Sequence, residues 1–505
     1  MKKLFIPIIA LLSTPFMLAQ DLSDAIRYGQ DEIQGTARFR ALSGAFGALG
    51  GDMSAININP ASSAVFSKSE ATITLAFSDL DNTVNFMNSG TTSSDSDTDI
   101  TQTGAAFVFK SNNKDSNWKK FSLGFAYDKV ANLDNNWVAA GTNTNSIASY
   151  FLNYAQGERL DEISAFPGET YSEAYSAIGS FYGYGNQQAF LGYESYILEP
   201  NSFVDGNTAY TSNIAPGSFN QQYFYSSRGY NGKFAFNFST QYKDKLYLGL
   251  NLNSHFTRFD KSTFLNEDNN NAGSFVNKVG FENNLYTEGS GFSFQLGLIG
   301  KITESLRAGL AYNSPTWYNV REELTQNIRT VRVENGSNVA LAINPFIINV
   351  FPEYKLTTPG KLTGSLAYIF GKKGLLSVDY SLKDYSNSKF KPTSDLYFAA
   401  LNNDISNSLD TVSTVRVGGE YKIKQLSLRA GYRFEESPYK QSLFNDDLNG
   451  YSFGLGYSFG NFRMDFSYDH SKFAQANQLY AVGLTDQASV ETKTNNYTFT
   501  MAFAL

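Results

Sequence analysis

Cysteine is absent from this 505-residue chain, and only two histidines, three tryptophans and 12 prolines occur in it. The lack of cysteine excludes a disulfide framework, a cysteine-ligated zinc site and a thiol nucleophile. Charge is scarce: Asp, Glu, Lys and Arg make up 17% of residues, well under the usual quarter. Past the first 20 residues no apolar stretch is long enough to cross a bilayer as a helix. The net charge of -7 argues against a nucleic-acid partner. In their place stand 42 Phe, 32 Tyr and 41 Gly, with a mean hydropathy slightly below zero. Little charge, many aromatics and no long apolar run suit a transmembrane β-barrel, where each strand shows lipid only at every second residue.

The first residues read as an address. Lys2 and Lys3 precede an apolar run over residues 4–12, and Leu18-Ala19-Gln20 offers a small residue for cleavage. Residues 1–19 are therefore expected to be a signal peptide, with a mature chain starting near Gln20 and exported to the outer membrane.

The rest is read by period. In the C-terminal stretch 497–505 large apolar side chains alternate with small or polar ones. Tyr451, Phe453, Leu455 and Tyr457 oppose Ser452, Gly454 and Gly456; Phe462, Met464 and Phe466 oppose Arg463 and Asp465. Residues two apart lie on one face of a strand. A water-soluble sandwich alternates in the same way, so period alone does not decide.

Loop order does. About fourteen strands are expected, centred near residues 75, 105, 125, 236, 250, 296, 310, 366, 379, 416, 430, 454, 466 and 499. Short connections alternate strictly with long ones, the long ones at 81–99, 131–229, 260–289, 315–360, 386–410, 436–449 and 471–493. Outer-membrane barrels have short periplasmic turns and long external loops, and a sandwich has no reason to sort its loops. Tyr312, Tyr368, Tyr457 and Tyr468 near strand ends suit aromatic girdles. The fold expected is an all-β transmembrane barrel over residues 70–505, with a long external loop at 131–229.

Residues 20–69 are not strand-like. Phe39, Leu42, Phe46 and Leu49 recur at helical spacing, in a glycine-rich stretch that ends in Asn59-Pro60-Ala61. Such a segment before a barrel is expected to fold into the lumen as a small helical plug; a periplasmic tail is the alternative. No strand precedes the glycines and no lysine stands at the position a phosphate loop needs.

At these residues the sequence resembles the FadL/TodX family of outer-membrane transport proteins. The resemblance returns at Gly291-Phe292-Ser293-Phe294-Gln295-Leu296-Gly297, at Ala311-Tyr312-Asn313-Ser314-Pro315, and at Glu436-Ser437-Pro438 with Gly454-Leu455-Gly456-Tyr457. It implies a fourteen-stranded barrel closed by an N-terminal hatch. It also implies cargo such as long-chain fatty acids or aromatic hydrocarbons, and a sideways exit beside a kinked third strand. That strand lies here near residues 121–128, with a break expected around Asp128-Lys129. The chain departs from the family in its long loop at 131–229.

Little points to chemistry. His470 is expected to face lipid while Asp469 and Ser471 point the other way, so no triad forms; His255 is expected in the lumen beside Asn251 and Asn253. Asp95, Asp97 and Asp99 lack the glycine and distal glutamate of a calcium loop and are expected in a solvated loop. Lumen-facing Arg307, Arg416, Arg429, Arg433, Arg463, Asp379 and Asp465 are expected to form wall ion networks. No enzyme activity, metal or cofactor is expected.

The function expected is passive uptake of hydrophobic small molecules. Phe39, Leu42, Phe46, Leu49, Asn59, Pro60 and Ala61 would form or position the gate. Ile147, Tyr150, Phe151 and Tyr154, on one helical face of the long loop, are candidates for an external apolar groove; the bland reading is that they pack the loop on itself. The partners expected are the cargo, outer-membrane lipid and lipopolysaccharide, and proteins at the external loops. The alternative is a structural or adaptor barrel serving a secretion machine. A general porin is disfavoured by the plug, and haem uptake finds no support in two histidines.

Overall fold

A computed structural model of the protein describes residues 21–113, 115–441 and 446–505. The expected signal peptide at 1–19 lies outside the described residues. Fourteen antiparallel strands form one closed barrel: β1 Glu70–Phe86, β2 Ser89–Lys110, β3 Trp118–Asn132, β4 Phe219–Tyr242, β5 Leu246–Asp268, β6 Val276–Lys301 and β7 Leu306–Asn313. The circle continues with β8 Lys361–Ile369, β9 Gly374–Asp384, β10 Thr411–Ile423, β11 Leu426–Glu435, β12 Leu448–Ser458, β13 Phe462–Gln478 and β14 Gln487–Ala504. Each pairs with the next, and β14 closes on β1 from Glu70↔Ala504 to Asn85↔Ser489. Every expected strand centre falls inside one of them.

The barrel is inside-out relative to a water-soluble protein. Phe453 on β12 is 55% exposed, whereas Asp465 on the adjoining β13 is 1% exposed. Phe107, Phe121, Phe236, Phe292, Leu310, Leu366 and Tyr497 share the outer face, while Gln102, Asn237, Asn251, Gln295 and Thr498 are buried inside. A continuous apolar outer wall of this extent is stable only against lipid.

The loops sort by rim as expected, but their content differs. Residues 81–99 are not a loop: β1 and β2 run on and meet in a two-residue turn at Met87 and Asn88, both with positive φ. Positive φ at both central residues suits the tight hairpin turn that matches strand twist. Asp95, Asp97 and Asp99 accordingly sit on a strand rather than in a solvated loop. Within the expected loop 315–360 a further strand, Trp317–Glu334, pairs with the upper half of β6, and Ser337–Ile343 folds back on it.

The long insertion between β3 and β4 folds as its own layer. A strand Asn135–Asn143 continues β3 along β4. The helices Ala148–Ala155, Tyr171–Phe181 and Tyr184–Glu194 then pack over the mouth of the barrel.

Candidate functional site

The N-terminal segment lies inside the barrel. Its first helix, α1 (Leu22–Arg27), starts at a reciprocal cap between Asp21 and Asp24. A second, α2 (Ala37–Ala41), is capped by Thr36. The helical spacing of Phe39, Leu42, Phe46 and Leu49 does not give one helix. Ser43 and Gly44 take positive φ and end it after one turn, a conformation a right-handed helix does not hold. All four side chains still meet. With Ile33, Ala48 and Ile58 they form one buried cluster against Ala367 of β8, and the rings of Phe39 and Phe46 lie 5.5 Å apart.

The wall grips this hatch through polar side chains. Asp379 on β9 accepts the main-chain N–H of Phe46 at 3.0 Å and of Gly47 at 2.9 Å. Arg307 donates to the carbonyl of Leu49, Asn251 to that of Ile56, and Asn237 to that of Pro60. Asn59 does double duty. Its side chain caps the turn Pro60–Val65 by accepting from Ala61 N–H, and donates to the carbonyls of Gly47 and Leu298. Arg40 forms a two-pronged pair with Asp469 at 2.7 and 3.0 Å.

The expected wall ion network is present in part. Glu420 lies between Arg38 (3.1 Å) and Arg429 (2.7 Å), and Asp465 between Arg429 (2.7 Å) and Arg463 (2.6 Å). Arg416 and Arg433 make no ion pair among the described residues.

Above the hatch is a chamber of ≈ 1310 Å³. Phe39, Leu42, Phe46, Leu49, Asn59, Pro60 and Ala61 do not line it; they are buried beneath its floor. The floor is the segment 21–34, which includes Leu22, Ile26, Arg27 and Ile33. This strap is tied to the wall by Asp31, whose carboxylate meets Lys361 at 2.7 Å and Lys383 at 3.1 Å. Burial alone would raise the Asp31 pKa, but the two lysines outweigh it and hold the carboxyl well below its usual range. Arg27 lies 4.1 Å over the ring of Phe259.

The upper wall and roof are aromatic. Trp137 stacks on Tyr225 at 4.9 Å, and Tyr150 packs on Tyr480 at 4.9 Å. The stripe read from the long loop divides here. Ile147 and Phe151 are fully buried in the core of the insertion, while Tyr150 and Tyr154 turn to the chamber, so the four do not form an external groove.

One side of the chamber reaches an interruption in the wall. β2 pairs with β3 from Lys110↔Lys120 to Gln102↔Asp128 and no further, although β2 runs on to Ser89 with β1, and β3 runs on with β4. The β3–β4 register slips between Lys129 and Ala131, where the break was expected. Above Gln102 only side chains bridge the two edges. Lys129 reaches Asp99 at 2.8 Å and Asp97 at 3.6 Å, and Ser93 donates to the carbonyl of Asn136 at 2.7 Å. Ser96, Asp97, Leu133 and Asp134, from both edges, line the chamber.

The histidines sit where expected. His255 is buried in the lumen, bonded to Ser293 at 2.8 Å, and His470 pairs outside with Asn495 at 2.9 Å.

Comparison with known proteins decides the identity. The family model described as outer membrane protein transport protein (OMPP1/FadL/TodX) matches residues 204–505, more than half of the chain. The chain belongs to the FadL/TodX family. It is a channel of the outer membrane and not an enzyme. Its fold is similar to a FadL homologue of Pseudomonas aeruginosa, with a TM-score of 0.56 and 13% identity over 94% of this chain and 99% of that one. It is also similar to the toluene transporter TodX of Pseudomonas putida, with a TM-score of 0.50 and 14% identity over 94% and 99%. No protein of curated function matches the chain. As a FadL/TodX protein it has its short turns on the periplasmic side and the aromatic roof outside.

Proposed function

We infer that this barrel takes up hydrophobic small molecules passively, from the external chamber, and releases them sideways into the membrane between β2 and β3. The observation that carries the reading is the wall itself: backbone pairing stops at Gln102↔Asp128 while the chamber extends to both free edges. A sideways route suits apolar cargo, which never has to leave an apolar surface for water. The hatch supports it by default, because the hatch body that Asp379, Arg307 and Asn59 tie to the wall beneath the floor leaves no straight path to the periplasm. Phe39, Phe46, Asn59 and Pro60 serve this gate by fixing the floor. Cargo then passes into the lipid that surrounds the barrel.

The test is to staple the two edges. Asp99→Cys/Lys129→Cys, bridged by a short bis-maleimide, should reduce cellular uptake of the apolar dye N-phenyl-1-naphthylamine to that of cells lacking the barrel. The unbridged double variant should retain uptake. Equal uptake before and after bridging refutes the sideways route.

A further inference from the structure

The two ends of the barrel carry opposite charge. The insertion at 133–218, on the external side, holds nine carboxylates against a single cation, Arg159. The periplasmic end is the reverse. The entry to β1 and five of the six short turns, with their flanking residues (66–69, 110–120, 242–246, 301–306, 370–374 and 422–425), contain twelve lysines, no arginine and three carboxylates. That is a local surplus of nine positive charges in a chain whose net charge is -7, so overall composition does not account for it.

These lysines are not balanced within the protein. Lys110, Lys243, Lys245, Lys372, Lys373 and Lys424 are exposed and make no ion pair among the described residues. Lys422 reaches Glu420 at 3.4 Å, but Arg38 and Arg429 already hold that carboxylate. Main-chain bonds draw neighbouring turns together: the N–H of Lys301 donates to the carbonyl of Lys245, and that of Lys422 to the carbonyl of Lys373, each at 2.7 Å. Like charges therefore stand side by side in adjoining turns, which is unfavourable without an anion between them. Lys243 and Lys424 also take positive φ, 50° and 56°, where Gly or Asn would form the turn with less strain. Charge is kept there against the preference of the turn.

Their depth identifies the counter-ion. The turns follow directly on the lipid-facing wall: exposed Phe109 precedes Lys110, exposed Phe370 lies two residues before Lys372, and exposed Ile423 separates Lys422 from Lys424. Trp118 and Tyr242 meet edge to face at 5.0 Å beside the same turns, an aromatic pair of the kind that sits at headgroup level. Ammonium groups on flexible stems suit phosphates in a fluid layer, whereas fixed bidentate recognition calls for arginine, and these turns have none. We propose that the periplasmic rim is a binding surface for anionic phospholipid headgroups of the periplasmic leaflet, which neutralise the lysines and fix the depth of the barrel. The proposal does not depend on the cargo or its exit.

The experiment is tryptophan quenching in the full-length barrel, reconstituted into phosphatidylcholine vesicles that contain, in both leaflets, phosphatidylglycerol or phosphatidylcholine brominated in the acyl chains near the headgroup. Trp118 stands at the periplasmic rim, and Trp317, packed on Phe292, at the external end of the lipid-facing wall; Trp137 is 3% exposed and shielded from lipid. Trp317→Phe therefore leaves a reporter at the periplasmic rim, and Trp118→Phe one at the external end. At low salt the Trp317→Phe protein should favour brominated phosphatidylglycerol over brominated phosphatidylcholine about fivefold in relative association, from about one lysine per headgroup. At 1 M salt, where charge acts over only about 3 Å, the two lipids should quench alike. The Trp118→Phe protein should show no such preference. Lys243→Gln/Lys245→Gln in the Trp317→Phe background should lower the preference by roughly half. Equal quenching by the two lipids at low salt in the Trp317→Phe protein overturns the proposal and leaves the rim to an acidic protein. A preference that survives 1 M salt, or one as strong at Trp317 as at Trp118, overturns it too. The salt comparison needs no lysine variant, so poor folding of Lys243→Gln/Lys245→Gln does not blunt it.

Discussion

The carboxylate of Asp379, on the barrel wall, holds the backbone of Gly47, in the hatch, with one N–H···O contact of 2.9 Å and a second of 3.2 Å, and takes the neighbouring N–H of Phe46 as well. This one side chain satisfies two main-chain donors that the hatch cannot satisfy internally. Asp379→Ala would leave both buried and unpaired, at about 1–3 kcal/mol for each orphaned donor. Amide exchange at residues 44–48 should accelerate by more than tenfold while exchange in the barrel strands stays put. Unchanged exchange there would mean that the apolar cluster alone holds the hatch.

Close approach of hatch to wall makes a second prediction. A Cβ added to Gly309 on β7 would overlap the carbonyl of Gly47, whereas one added to Gly364 on the adjoining β8 meets nothing within 4 Å. Gly309→Ala should therefore lower the thermal midpoint, by the equivalent of about 1–3 kcal/mol for an overpacked site, and Gly364→Ala should not. Differential scanning fluorimetry of the two variants side by side checks this, and equal midpoints would count against it.

The fold was legible because lipid writes a strong pattern. Where a strand crosses the membrane, as at Tyr451 to Tyr457, large apolar side chains alternate with Gly and Ser, and the loop order settles which face is outside. The pattern fades where lipid ends. Upper β2 reads Ser-Ser-Asp-Ser-Asp-Thr-Asp because a strand standing in water needs no apolar face, so it passed for a loop. In Trp317–Glu334 the alternation of Tyr318, Val320, Leu324 and Ile328 was there to be read, but the charges between them masked it. The cluster of Phe39, Leu42, Phe46 and Leu49 was visible as apolar spacing, while the turn at Ser43–Gly44 that breaks the helix was not. The chamber left no local trace. Tyr150, Arg433 and Tyr480 come from segments far apart in the chain and share a site only once the barrel closes.

Among the described residues, Lys129 is the one charged side chain that crosses the interrupted edge of the wall to a carboxylate, reaching Asp99 and Asp97. Because Asp99 is 41% exposed at its side chain, the pair contributes little to stability, under about 1 kcal/mol. Its effect should be on passage. Lys129→Gln is expected to speed dye uptake severalfold with an unchanged melting point, and raised salt should speed the wild type toward the variant by screening. Slower uptake in Lys129→Gln would show that the lysine guides cargo instead of barring the edge.

The last prediction concerns acid. Asp31 anchors the strap that floors the chamber, and Lys361 and Lys383 hold its carboxyl well below the ordinary range. The sign follows from linkage. A carboxyl depressed in the folded state contributes stability that is complete above its unfolded pKa, about 3.9, and is lost as pH falls through the folded value. The strap should thus stay anchored across pH 5–8 and loosen only below about pH 4. Asp31→Asn removes the charge at every pH and leaves two lysines facing each other without an anion. It should show, at neutral pH, the fast exchange of residues 28–34 that the wild type shows only in acid. Tracking amide exchange in that segment between pH 3 and 8 distinguishes the cases: a wild-type strap that loosens near neutral pH would mean that groups other than Asp31 hold it.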